Sequence, residues 1–100
     1  MHAKKKIEIF IEAPASRLVM DVLERHGARG YTALTASSGR GSGGTWDVSP
    51  VTDARQQVMI VTVVAPDRVT PIVDDVGVLF ADYHGVLFVS DVSVLRSERF

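Results

Sequence analysis

Along residues 5–12, KKIEIFIE, the side chains of Ile7, Ile9 and Ile11 fall on one side and those of Glu8, Phe10 and Glu12 on the other. That period of two marks a half-buried strand. The period then changes. Leu18, Val19, Val22 and Leu23 recur at helical spacing after Pro14, a residue suited to a first helical turn, and the stripe stops at Gly27. GYTALT, from Gly30, predicts a short second strand, and QQVMIVTVV, residues 56–64, predicts a third from its β-branched content. Val69, Ile72, Val73, Val76, Leu79 and Phe80 form a second helical stripe, with Asp67 or Thr70 as its cap and Pro71 tolerated only near its start. Gly77 weakens this helix by about 1 kcal/mol relative to alanine, which blurs its end. Residues 86–95 predict a fourth strand, followed by the charged tail RSERF.

The order β-α-β-β-α-β predicts an α+β, ferredoxin-like fold, a four-stranded antiparallel sheet with both helices on one face. Two helices cover only one side of such a sheet. The other side carries Phe10 and alternate residues of the valine-rich third and fourth strands, and an apolar surface of that kind predicts a partner subunit.

Between the second and third strands lies TASSGRGSGGTWDVSP, residues 35–50, with almost nothing that could build a core. Hairpin connections usually take about 2–5 residues, and loops beyond about 12–15 residues are uncommon unless they are functional or disordered. Trp46, a large aromatic in a polar glycine-rich setting, is a candidate partner contact. Gly39, Gly41 and Gly44 match G-x-G-x-x-G, but a dinucleotide fingerprint needs a helix directly after the glycines, and residues 45–50 show no helical period and end in Pro50. Arg40, among small residues that leave backbone amides uncrowded, is a candidate anion contact. Arg96 and Arg99 in the tail form a second basic pair.

Composition narrows the functional classes. At 100 residues the chain is the size of one domain, and its net charge of -1 argues against sequence-independent nucleic-acid binding, which depends on neutralising phosphates. With no cysteine there is no disulfide, thiolate nucleophile or Cys-ligated metal. No run approaches the roughly 20 apolar residues of a membrane helix, and the basic start MHAKKK lacks a signal core, so a cytoplasmic protein with no membrane insertion is expected. His2, His26 and His84 show no metal-ligand spacing, and no serine has a base identifiable near it, so no catalytic constellation is expected. Adjacent Asp74 and Asp75 point in different directions on a helix and read as a solvated face.

From Lys5 to Phe100 the chain resembles the PII signalling superfamily, and within it the PII-like branch linked to bicarbonate transporters and carboxysomes. The marks are KKIEIFIE, HGARGYTALT, SSGRGS at the root of the long loop, VVAPDRV before the second helix and DYHGVLFVSDV into the last strand, taken in this order and spacing. The resemblance implies a homotrimer that binds adenine nucleotides in clefts between subunits and signals through the long T-loop, about residues 36–55. It implies AMP, ADP or cyclic AMP as regulatory ligand, no cofactor and no enzymatic activity. It places Gly30, Tyr31, Thr32 and Val63 near the adenine, Arg40 at the T-loop base, and Gly85 and Val86 at the B-loop, ADYHG, near phosphate. Arg96 and Arg99 answer to C-terminal basic residues that approach the nucleotide. A bicarbonate or other anion transporter is the implied target, and bicarbonate itself is an implied second ligand.

The departures are informative. Nitrogen-regulatory PII proteins carry a Gly-Lys pair where this chain has Gly85-Val86, and a T-loop tyrosine and glutamine that residues 36–55 lack. Distal-phosphate binding, uridylylation and 2-oxoglutarate sensing are not expected, nor is the C-terminal Cys-based redox switch of some relatives. Two other functions share the element order. An RNA-binding RRM module needs stacking aromatics that QQVMIVTVV does not supply, and an acylphosphatase-like enzyme needs an anion-cradling loop where EAPASR stands.

Overall fold

The computed structural model describes residues 1–41, 44–47 and 56–100. Strand β1 (His2–Glu12) leads through a 3-10 turn (Ala13–Ala15) into helix α1 (Ser16–Arg25), then β2 (Tyr31–Thr35), β3 (Ser38–Gly41), β4 (Gly44–Asp47), β5 (Gln57–Val64), helix α2 (Val69–Leu79) and β6 (Gly85–Val94). The main sheet has the order β2-β5-β1-β6 with every neighbouring pair antiparallel, the expected ferredoxin-like arrangement. β1 begins three residues before the alternating run because its ladder with β6 continues from Ile11 opposite Gly85 to His2 opposite Val94.

Ile7, Ile9 and Ile11 are fully buried and meet Val19, Val22 and Leu23 of α1, Ile72 and Val76 of α2, and Ile60 and Val64 of β5 in one core. Full burial of a side chain of this size contributes about 1.5–3 kcal/mol, so the isoleucine stripe of β1 anchors the layer contact. α1 closes on Gly27 at φ 77°, with Gly27 N–H donating to Glu24 O at 3.2 Å and Ala28 N–H to Leu23 O at 2.9 Å. This paired closure uses the left-handed region that glycine enters without strain.

Two local expectations are corrected. Neither Asp67 nor Thr70 caps α2; a 3-10 turn, Pro66–Arg68, feeds the helix, with no side-chain bond at its start. Pro71 is accommodated because it is the third residue of α2, where its missing N–H is one of those that lack an intrahelical acceptor. Asp75 is also not simply solvated: its Oδ2 accepts from Arg25 Nη2 at 3.1 Å and lies 2.6 Å from His26 Nε2, joining α2 to the end of α1. Those bonds, from His26 first and Arg25 second, hold the Asp75 carboxyl below its ordinary value of 3.8. A lowered carboxylate contributes stability that is full above the unfolded value and disappears as pH falls through the folded one. Asp75→Asn should therefore melt below wild type near neutral pH, and the gap should close as pH falls below about 3.8; calorimetry of both proteins across that range checks this.

The segment between β2 and β5 is not irregular throughout. β3 and β4 pair as a separate two-stranded sheet, Ser38 opposite Asp47 and Gly41 opposite Gly44. The glycines of the G-x-G-x-x-G match thus lie in extended, paired backbone, as the rejection of a dinucleotide fingerprint requires.

Candidate functional site

The site residues inferred from sequence fall into two groups on the sheet. At one end, β2 stops at Thr35, β5 starts at Gln57, β1 stops at Glu12 and β6 starts at Gly85. Ala36 N–H donates to Gln57 O at 2.9 Å and Ala13 N–H to Gln56 O at 2.8 Å, which ties both roots of the T-loop to the end of β1. Arg40, exposed in β3 opposite Thr45, lies five residues beyond the end of β2, in the separate β3–β4 sheet that follows from this end. Trp46 lies in β4 opposite Gly39, and its side chain falls outside the described residues.

Phe80 and the B-loop, residues 81–85, connect α2 to β6 and line a cavity of about 220 Å³. Their amides are used internally: Phe80 donates to Gly77 O, Ala81 to Val78 O, and both Asp82 and Tyr83 to Leu79 O. His84 N–H donates instead to a side chain, Glu12 Oε1, at 2.6 Å, and Glu12 N–H returns a bond to His84 O at 3.1 Å. Gly85 is obligatory where it stands. A Cβ there would lie 2.4 Å from Phe10 O and 2.8 Å from Phe80 Cε1.

Gly30, Thr32 and Val63 form the second group. Val63 pairs with Lys6, whereas Gly85 pairs with Ile11, five positions further along β1, or about 17 Å at the usual strand rise. Thr32 and Val63 face the side of the sheet away from the helices, as their registers opposite Val61 and Lys6 require. Tyr31 turns the other way: it packs against the core, and its hydroxyl donates to Glu24 Oε2 at 2.5 Å. Acceptance by that carboxylate pushes the Tyr31 phenol up from its ordinary value of 10.0. Gly30 is fixed through its carbonyl, which accepts from Thr62 Oγ1 at 2.6 Å. The tail belongs with this group, because Arg29 Nη1 donates to Glu98 O at 2.8 Å, between Arg96 and Arg99.

The helix-free side of the sheet joins the two groups and carries a broad apolar patch beside the Lys6–Glu8 ion pair. Phe10, Met59, Val61 and Val63 lie across its centre, and Leu34, Val86 and Phe88 are 56%, 52% and 50% exposed. The rings of Phe10 and Phe88 stack at 5.7 Å between centroids with a 43° tilt. Among the described residues no group of His, Cys, Asp or Glu could hold a metal ion, and no helix is long and apolar enough to cross a membrane.

Against known families, the model of nitrogen regulatory protein P-II matches residues 4–99. The chain belongs to the P-II family. Solved P-II-like structures resemble it over nearly its whole length. CPII from Thiomonas intermedia K12, bound to ADP and bicarbonate, is 33% identical with a TM-score of 0.88, covering 99% of this chain and 95% of its own. The same protein bound to ADP, AMP and bicarbonate is 31% identical with a TM-score of 0.90, covering 99% and 94%. A PII-like signalling protein from Thermus thermophilus is 25% identical with a TM-score of 0.84, covering 99% and 96%. No curated protein matches the sequence. Membership in the P-II family sets aside the RRM-like and acylphosphatase-like alternatives and makes this chain a PII-like regulatory protein.

Glu12 was not among the residues singled out from the sequence for the site. Its contact to His84 spans 72 positions, and no local pattern foretells it.

Proposed function

We propose that this PII-like protein is a homotrimeric, non-enzymatic regulator of the cytoplasm that binds AMP, ADP or cyclic AMP between subunits and reports occupancy through its T-loop to a membrane transporter of bicarbonate or another anion. One observation carries the subunit-spanning site: Gly30, Thr32, Val63 and the Arg96–Arg99 tail stand apart from Arg40, Gly85 and Val86 in one chain, on a sheet whose joining face is apolar and exposed. Packing that face against a neighbour sets one group beside the neighbour's other group and removes the apolar surface from water. The ligand class is supported by ADP, AMP and bicarbonate in CPII, and by the absence of a lysine after Gly85. Bicarbonate enters as the second small ligand on the same grounds.

Calorimetric titration with AMP, ADP, cyclic AMP and ATP, each with and without bicarbonate, tests the reading, and failure of all four nucleotides to bind rejects it. Within it, Arg40 supplies positive charge to the phosphates. A charged hydrogen bond is worth about 1.5–3 kcal/mol, so Arg40→Ala should weaken ADP by about ten- to a hundredfold. Exposed in the β3–β4 hairpin, Arg40 touches no core, and the melting temperature of the free protein should stay unchanged. Unaltered ADP affinity removes Arg40 from the site.

A further inference from the structure

Glu12 and the B-loop carry more than a structural tie. Of the amides of residues 80–84, those of Phe80, Ala81, Asp82 and Tyr83 are bonded to backbone carbonyls of α2, and the His84 amide is held by a carboxylate. A carboxylate oxygen 2.6 Å from a backbone N–H occupies the position an anionic ligand oxygen would take. The surrounding charge has the same sign: the cavity lining contains Asp82, and its described residues include no lysine or arginine. An incoming phosphate chain therefore meets a resident anion on the one B-loop amide that a side chain, rather than the backbone, satisfies.

We propose that Glu12 is the residue that sets ligand choice by charge, its carboxylate holding the His84 amide and penalising each additional phosphate. This rests on the nucleotide reading given above. Against AMP, whose single phosphate can be met by Arg40 alone, the penalty is small. Against ATP it grows, because more negative charge must enter the same cavity while Glu12 either stays as a repelling neighbour or gives up its bond. Glu12 is a positioning and selectivity residue in this scheme and forms no bond to the ligand.

The test is a titration of AMP, ADP and ATP into wild type, Glu12→Gln and Glu12→Ala. Glutamine keeps an oxygen that accepts from His84 N–H and removes only the charge, so the B-loop should hold its shape and the melting temperature should not move. Removing a unit charge beside the cavity should tighten ATP by about tenfold and AMP by no more than about twofold, with ADP between them. Glu12→Ala, which also frees the amide, should shift the ATP-to-AMP preference in the same direction. A purely structural clamp would change all three affinities by one common factor, and that result overturns the proposal, as does any weakening of ATP in Glu12→Gln. If wild type binds none of the three, there is no phosphate-number preference for Glu12 to set and its role is rejected; if cyclic AMP fails as well, the nucleotide reading itself fails. If wild type binds and the variants show no gradient with phosphate number, only the role of Glu12 is rejected.

Discussion

Gly85→Ala is expected to destabilise the fold by about 2–3 kcal/mol, at the upper end of what one added carbon usually costs in a packed site. The added Cβ would sit 2.4 Å from the Phe10 carbonyl oxygen and 3.1 Å from Ile11 Cα, both backbone atoms of the central strand β1. These atoms cannot step aside without breaking the ladder that pairs Ile11 with Gly85 and Phe10 with Val86. The Phe80 ring, with Cε1 at 2.8 Å, would have to leave its place over the glycine as well. Because Phe80 immediately precedes the B-loop, the distortion should also reach the cavity lined by residues 80–85 and weaken ADP. Gly30→Ala provides the contrast, since a Cβ there meets nothing within 4 Å and should leave folding stability unchanged. Urea denaturation of the three proteins measures the difference, and equal midpoints for Gly85→Ala and wild type would contradict the close approach.

The layer structure was legible because burial writes a period into the chain. Ile7, Ile9 and Ile11 alternate since β1 is covered on one face only, and Val19, Val22 and Leu23 recur as they do because α1 lies on that face. Gly27 announced the helix end because only a residue without Cβ takes φ 77° freely. Where no burial period exists the reading thinned. β3 and β4 pair through backbone bonds along SGRG and GTWD, four-residue runs whose sequence carries no apolar alternation to read. The role of Asp75 depends on Arg25 and His26, 50 and 49 positions away, and that of Glu12 on His84 across the sheet. The direction of Tyr31 follows from its register opposite buried Thr62, which fixes the face and is invisible until the strands are paired. The candidate residues were therefore named through family resemblance alone, while their division into two groups emerged from strand pairing.

That division makes assembly the most consequential variable, and Phe88→Lys probes it directly. Phe88 is half exposed on the helix-free face, opposite Glu8 in the β1–β6 ladder and stacked on Phe10. In an isolated chain a lysine here stays in water across the strand pair from Glu8, which already pairs with Lys6 at 3.0 Å. The shared contact, worth at most about 0.2–1 kcal/mol, offsets only part of the lost ring packing. In a trimer the same ammonium must be taken out of water at each of the symmetry-related interfaces, and leaving a buried charge imperfectly paired costs several kcal/mol per ion. The expected result is a fall in mass by light scattering from about 33 kDa, three times the chain's 10.9 kDa, to that of a single chain, with the far-ultraviolet circular dichroism of a folded protein. ADP binding should fall by at least about a hundredfold in the same preparation, because Arg40 and Gly85 would no longer meet a neighbour's Thr32, Val63 and tail arginines. A variant that remains trimeric shows that the apolar face is not the interface. A monomer that binds ADP as tightly as wild type shows that one chain completes the site alone, in which case the two groups of residues do not act together across subunits.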